Sequence, residues 1–227
     1  MNILAFDTSS YILDICLMRG EESHSLAKNA GLRHSELLIP GIEYLLDSTG
    51  TEMKDIDLIV CSKGPGSFTG LRIGISTAKG LSAGSGSPLV SVPSLDAMAY
   101  PFSKLPFPVL PVIDAKKKRF YGRLFCGGAP VSDITDGTPD EFENMVKEYE
   151  NVYVTGPDAR LFLDRSDKTD RYIISLAKIR GYAESLAVLG REKLERDGPD
   201  EEGDGPIYVR KSEAEIEREK RERADRT

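Results

Sequence analysis

Two stretches of this chain lie 107 residues apart and share one layout. ILAFDTSSYILDICLMRG (Ile3–Gly20) set above LPVIDAKKKRFYGRLFCG (Leu110–Gly127) aligns without a gap, matching Asp7 with Asp114, Leu17 with Leu124 and Gly20 with Gly127. Each is an apolar run ending in Asp, then a polar turn, then a returning strand. Further on, VYVTGPDARLFL (Val152–Leu163) echoes LIVCSKGPGSFTGL (Leu58–Leu71) as strand, Gly-Pro loop and helix. A chain with this repeat is expected to form two successive units, each a strand meander followed by alternating helices and strands. That pattern is α/β with mixed sheets. The 227 residues leave room for both. The proline-rich, aperiodic segment Pro101–Pro108 is the expected boundary. It divides a first lobe (1–100) from a second, reduced lobe (109–198), with a charged segment (199–227) beyond.

Helical spacing of Leu37, Leu38, Ile42, Leu45 and Leu46 predicts a helix over His34–Leu46 that begins or kinks near Pro40. A strand at Leu58–Ser62 leads through Gly64-Pro65-Gly66 into a helix over Ser67–Ala83, then a strand at Pro88–Val92 and a short helix at Ser94–Ala99. In the second unit a helix is expected near Phe142–Tyr149, a strand near Tyr172–Ser175 and a helix near Gly181–Glu195. The apolar island 206–210 is expected to dock on the body. Glu213–Arg226 carries mixed charges at i, i+4 spacing and is expected to be a solvated helix or frayed tail.

Composition removes several classes of function. No apolar stretch approaches the ~20 residues of a bilayer span, and the formal charge of −7 argues against a protein that grips phosphate backbones unaided. Two histidines and three cysteines without paired spacing supply no zinc site. Cys16, Cys61 and Cys126 each sit in apolar, strand-like runs and are expected to be reduced thiols of a cytoplasmic protein. The opening run Ile3–Phe6 is too short for an export signal and reads as the first strand.

The densest motif is Gly64–Gly74, GPGSFTGLRIG, between a strand and a helix. Gly64, Gly66 and Ser67 at a helix N-terminus are candidates for holding a phosphate, although no Walker Gly-Lys-Ser/Thr follows. Gly70 and Gly74 form a G-x-x-x-G pair beside an apolar stripe of Phe68, Leu71, Ile75 and Ala78, suited to core packing or to a subunit interface. Asp7, with Thr8 beside it, and Asp114 stand at strand ends and could bracket a cleft holding a phosphate-bound Mg²⁺. The ordinary role of such an Asp is to cap a turn. His34 lies near a helix start, where a metal pair would need a second histidine at position 38, and that residue is Leu38. Gly66-Ser67-Phe68 is not a nucleophile elbow. Lys116-Lys117-Lys118-Arg119 occupies a hairpin turn and is expected to be a solvated tip rather than an RNA contact, although it is the one local basic cluster.

The run GPGSFTGLRIGISTAKGL (Gly64–Leu81) resembles the signature of the TsaB family, also called YeaZ. The likeness extends to ILAFDTSS, His34 with Glu36–Pro40, Pro93–Ala97, Asp114-Ala115 with Tyr121, and Pro206–Arg210. The resemblance implies an actin-like ATPase (ASKHA, ribonuclease H-like) fold of two related lobes. It also implies a non-catalytic role, with no catalytic residue, metal or intrinsic cofactor, and nucleotide only at a subunit interface. Family members pair with the TsaD-like catalytic subunit, which transfers threonylcarbamoyl to adenosine 37 of tRNAs reading ANN codons. A TsaE-like ATPase joins them, tRNA is met through the complex, and the subunit forms a homodimer when alone. The family's pairing surface is built by two helices of the first lobe. On this chain that assigns His34, Leu38, Ile42, Leu45, Gly70, Leu71, Gly74, Ile75 and Ala78 to the interface, and a charge at Gly74 is expected to abolish pairing without unfolding. An alternative of another class is an ATP-binding phosphotransferase using Asp7, Asp114 and the Gly64–Ser67 loop.

Overall fold

A computed structural model describes residues 1–167, 169–174 and 181–210. Three strands open the chain, β1 (Asn2–Asp7), β2 (Ile12–Arg19) and β3 (Glu22–Asn29). Helix α1 (His34–Thr49), β4 (Leu58–Ser62), α2 (Phe68–Ser85), β5 (Leu89–Val92) and α3 (Ser94–Ala99) follow. The second half repeats this order in shorter pieces: β6 (Val109–Asp114), β7 (Phe120–Gly122), β8 (Phe125–Cys126), β9 (Ala129–Pro130), β10 (Thr135–Gly137), α4 (Pro139–Met145), β11 (Val152–Thr155), α5 (Ala159–Asp164) and β12 (Tyr172–Ile174). Helix α6 (Ala183–Asp197) is the last regular element among the described residues. The expected tail over Glu213–Arg226 lies outside them, as does Ser175 of the expected strand.

The repeat seen in the sequence is a repeat of topology. The first sheet runs β3-β2-β1-β4-β5, antiparallel between β3, β2 and β1 and parallel from β1 to β5. The main path of the second runs β10-β7-β6-β11-β12, with the same change from antiparallel to parallel pairing at β6. Strand β6 occupies the place of β1 and starts and ends 107 positions later. The two sheets are the related lobes of the actin-like (ASKHA) α/β fold, the second built from shorter strands.

Period-two alternation sends successive residues of β1 to opposite faces. Leu4 and Phe6 pack with Leu38, Ile42, Leu45, Ile75 and Ala78 of α1 and α2. Ile3 and Ala5 pack on the other side with Leu95 of α3 and Leu186 and Ala187 of α6. Both faces are covered, which is why β1 and β4 read as continuous apolar runs. In the second sheet Leu110 and Val112 meet Phe142 of α4 and Phe162 of α5.

Several elements differ from expectation for local reasons. Strand β3, ESHSLAKN, is a mostly exposed edge strand whose side chains carry no apolar alternation. It is held by backbone pairing with β2 from Ile12↔Asn29 to Arg19↔Glu22. Helix α1 starts at His34, runs through Pro40 and stops at Gly50, whose φ of 63° is a left-handed cap. Helix α4 begins earlier than its apolar spacing suggests, because Thr138 and Glu141 form a capping box with Pro139 in the first turn. Helix α6, expected with the second unit, lies on the first sheet. A Cβ at Gly190 would stand 2.5 Å from Val60 Cγ2, so the missing side chain lets the helix sit against β4.

Candidate functional site

The glycine-rich segment is a clamp on the first turn of the chain. The Ser67 amide donates to the Ser9 carbonyl (2.6 Å), and Ser67 Oγ caps α2 by accepting from the Gly70 amide (3.2 Å). A Cβ at Gly66 would fall 2.3 Å from the Ser9 carbonyl oxygen, one at Gly70 2.1 Å from the Thr8 carbonyl oxygen, and one at Gly74 2.3 Å from Thr8 Oγ1. Three glycines of the motif are thus spent on bringing α2 and its loop against residues 8 and 9.

This packing gives two of the phosphate candidates structural bonds. Asp7 is buried, and its Oδ1 accepts from the Ser9 amide (2.8 Å) and from Ser62 Oγ (2.6 Å). Thr8 is buried and its Oγ1 donates to the Gly70 carbonyl (2.8 Å). Asp7 is therefore the turn cap that chemistry ordinarily makes of such a residue, and Thr8 ties the turn to α2. Neither lines the cleft between the two sheets. Gly64 also lies below the surface, with φ +97° and Leu71 Cδ1 2.8 Å from where a Cβ would be.

The residues expected at the interface lie on the inner sides of their helices. Leu38, Ile42, Leu45, Leu71, Ile75 and Ala78 are buried in this chain's own core, and so are His34, Gly70 and Gly74. An apolar stripe at helical spacing is there to face something, and here it faces the first sheet. The His34 Nε2 is buried without a hydrogen-bond partner among the described residues, one turn before Leu38. No group of three or more His, Cys, Asp or Glu suited to a metal ion occurs among those residues. The large apolar side chains that α1 leaves outside are Ile39, 39% exposed, and Tyr44, 62% exposed, among charged neighbours that include Glu36, Glu43 and Asp47.

Between the two sheets lies a cleft of about 410 Å³. Gly66, Ser67 and Asp114 line it, so the structure brings these three candidates to one place and leaves Asp7, Thr8 and Gly64 out. On the first-sheet side Tyr11 and Leu32 stand at its mouth, 44% and 97% exposed. On the other side are Asp158 and the turn that carries Lys116 and Lys117. Asp158 Oδ2 accepts from the Asp114 amide (2.8 Å), and burial raises its pKa above the usual carboxylate value. The Gly-Pro-Asp of VYVTGPDARLFL, the echo of the first glycine loop, is the signal that could have marked Asp158, while nothing in the residue pattern marks Tyr11 or Leu32.

The island 206–210 closes one side as a strap. The Ile207 amide donates to the Lys63 carbonyl (2.7 Å). Tyr208 stacks on Phe68 with centroids 4.4 Å apart, and Arg72 Nε donates to its hydroxyl (3.1 Å). Arg210 then crosses to the second sheet, with Nη2 at 2.6 Å from Asp136 Oδ2 and Nη1 donating to the Ala115 carbonyl (3.2 Å).

Beneath the strap the lobes meet through α6. Asp14, opposite Asp7 in the β1–β2 register, accepts from the Ala183 amide at the start of α6. Burial, with the Asp7 charge adding to it, pushes the Asp14 carboxyl up to about 6. The neighbouring Tyr182 hydroxyl accepts from the Gly156 amide (3.1 Å) after β11, and burial raises its pKa. The thiols of Cys16 and Cys61, pushed up to about 11 and about 12 by burial, are unreactive core groups.

Comparison with known proteins agrees with this architecture. The family model described as "TsaD: tRNA N6-adenosine threonylcarbamoyltransferase" matches residues 26–157. The chain is 32% identical over 228 residues to the tRNA threonylcarbamoyladenosine biosynthesis protein TsaB of Bacillus subtilis, covering 95% of this chain and 96% of that one. It is 33% identical over 124 residues to the protein of the same name from Haemophilus influenzae, about half of each chain. Among solved structures, YeaZ from Pseudomonas aeruginosa superposes with a TM-score of 0.76 at 23% identity, covering 92% of this chain and 99% of that one, and so shares its fold.

Proposed function

The chain belongs to the TsaB (YeaZ) family, and from that premise we propose that it serves the formation of N6-threonylcarbamoyladenosine in tRNA as a non-catalytic subunit. It pairs with a TsaD-like catalytic subunit that modifies adenosine 37 of tRNAs reading ANN codons. A TsaE-like ATPase joins the complex, and a homodimer forms when the catalytic subunit is absent. The chain works in the cytoplasm without a cofactor of its own, nucleotide entering only at a subunit interface.

One observation supports the pairing role most directly. Helix α1 buries one side in the core and still presents Ile39 and Tyr44 to the outside. Large apolar side chains held outward on a regular element favour a protein partner. The groups that a phosphotransferase would need are committed elsewhere: Asp7 and Thr8 hold the first turn together.

Reconstituted threonylcarbamoylation with and without this chain tests the role, and the expected result is product only, or far faster, with it present. Equal activity of the TsaD-like subunit alone would sink the proposal. Tyr44→Glu is expected to abolish co-elution with that subunit while leaving the monomer folded.

A further inference from the structure

The wall of the cleft that carries Lys116 is built in a way that packing alone does not require. Lys116, Lys117 and Lys118 are three consecutive left-handed residues, at φ 64°, 53° and 61°. Any residue with a Cβ resists that conformation, and glycine or asparagine enters it most readily. The turn is held in place by Asp114, which accepts from the Lys116 amide (2.9 Å) and from its ammonium (2.9 Å), and by the Arg119 amide donating to the Lys116 carbonyl (3.0 Å). All three side chains are exposed. The left-handed backbone by itself favours no lysine; Lys116 turns its ammonium back onto Asp114, and the run sets three positive charges in an unfavourable backbone at the edge of a cavity.

Facing them are aromatic rings that are fixed and partly open. The Tyr11 hydroxyl donates to the Pro157 carbonyl (3.3 Å), and Tyr208, 41% exposed, is held between its stack on Phe68 and its bond to Arg72. Tyr11, Phe68, Tyr208, Lys116 and Lys117 line the same cleft, whose 410 Å³ suits about one nucleotide. The carboxylates on the floor are engaged, Asp158 by the Asp114 amide and Asp114 by Lys116 and Arg165. Rigid aromatic faces beside a short cationic edge are how proteins hold unpaired nucleotides, with the base stacked and the phosphates at the amines.

We infer that the cleft mouth binds an unpaired segment of RNA, one base lying against Tyr11 and Tyr208 and the adjoining phosphates meeting Lys116–Lys118. This rests on the reading of the chain as a subunit serving tRNA, and gives it a direct contact with the nucleic acid. The chain's net charge of −7 keeps that contact local and strongly dependent on salt.

The test titrates the full chain against a fluorescent RNA hairpin with a seven-nucleotide loop, the matching duplex without a loop, and free ATP. The hairpin is expected to bind roughly tenfold tighter than the duplex. Lys116→Asn with Lys117→Gly and Lys118→Gly gives up the Lys116–Asp114 pair, a small loss at an ammonium 81% exposed, and places residues that accept the left-handed turn, so the variant is expected to melt no lower than the parent. Its hairpin binding should weaken roughly tenfold, with the log K against log salt slope shallower by about 2, as for three lost phosphate contacts on a single strand. Tyr11→Ala is expected to weaken hairpin binding about tenfold with the slope unchanged. Unaltered hairpin binding by both variants, equal binding of the duplex, or binding of ATP without binding of RNA would each overturn the inference. The same proteins are assayed in reconstituted threonylcarbamoylation. Stimulation without hairpin binding removes the RNA contact and leaves the subunit role standing, whereas hairpin binding without stimulation removes the subunit role alone.

Discussion

Gly74 lies directly against Thr8: a Cβ on the glycine would stand 2.3 Å from Thr8 Oγ1, the hydroxyl that bonds the Gly70 carbonyl. The most recognisable motif of the chain is therefore an internal joint. Its small residues let α2 approach the turn that follows β1, and that turn in turn shapes one wall of the cleft.

Glycines along α2 should consequently differ in sign when changed to alanine. Gly70→Ala places a methyl group 2.1 Å from a backbone carbonyl and is expected to cost about 2 kcal/mol or more, a fall of roughly 4 to 8 °C in melting temperature. Gly80 has open space around its Cα, so Gly80→Ala is expected to gain about 0.5 to 1 kcal/mol through helix propensity. Thermal unfolding of the two variants decides it, and equal effects would contradict the joint.

Charge at Gly74 should act on folding as well as on pairing. Because Gly74 is buried against Thr8, Gly74→Glu is expected to destabilise the monomer by at least as much as Gly70→Ala, since it buries a carboxylate as well. The informative interface variant is Tyr44→Glu, on a side chain 62% exposed, where stability should change by less than about 0.5 kcal/mol. Urea midpoints of the two variants separate folding from assembly.

Asp14 should make stability fall as pH rises. Its folded carboxyl titrates at about 6, against about 3.9 for an unfolded aspartate. Between those values the folded chain holds a proton that the unfolded chain has released. The contribution is complete below about pH 4 and is lost as pH rises through about 6, on the order of 3 kcal/mol. Asp158 and Asp96, also raised by burial, act in the same direction. Urea unfolding of the parent and of Asp14→Asn across pH 4 to 7 is expected to show a difference that grows toward neutral pH, with the variant relatively more stable there.

Asp136 should couple two arginines. It is 16% exposed and pairs with Arg119 (2.8 Å) and with Arg210 of the strap (2.6 Å). Removing either cation leaves the other, and each single change to alanine is expected to cost about 1 kcal/mol. Removing both leaves a mostly buried carboxylate without a cation, so the double variant is expected to lose at least 1 kcal/mol beyond the sum. A double-mutant cycle in urea measures this, and strict additivity would show that the strap and Arg119, just before β7, act independently.

Much of the fold was legible because strand patterns are local. The apolar run ending in Asp recurs 107 residues on, and β1 and β6 have the same length and the same central place in their sheets. Strand β3 was not legible, since an exposed edge strand is specified by backbone bonds to β2 and its side chains face water. At the site, Gly66, Ser67 and Asp114 were identified as candidates and line the cleft. Asp7 and Thr8 looked equivalent to them in sequence, and only the position of Ser62 and Gly70 turned both into structural groups. The left-handed run at Lys116–Lys118 had no signal, because lysine is not a residue that marks such a turn.

By itself the sequence determined the two related halves, the order of most strands and helices, and the family to which the chain belongs. Tertiary structure decided what each apolar face meets. Periodicity states that Leu38, Ile42, Leu71 and Ala78 share the inner sides of two helices. It cannot state whether those sides meet this chain's own sheet or another protein, because that choice depends on contacts between residues far apart in the chain. For the same reason α6, read with the second half, belongs to the core of the first. What this packing leaves open is Ile39 and Tyr44 on α1 and the lysine-edged cleft between the lobes.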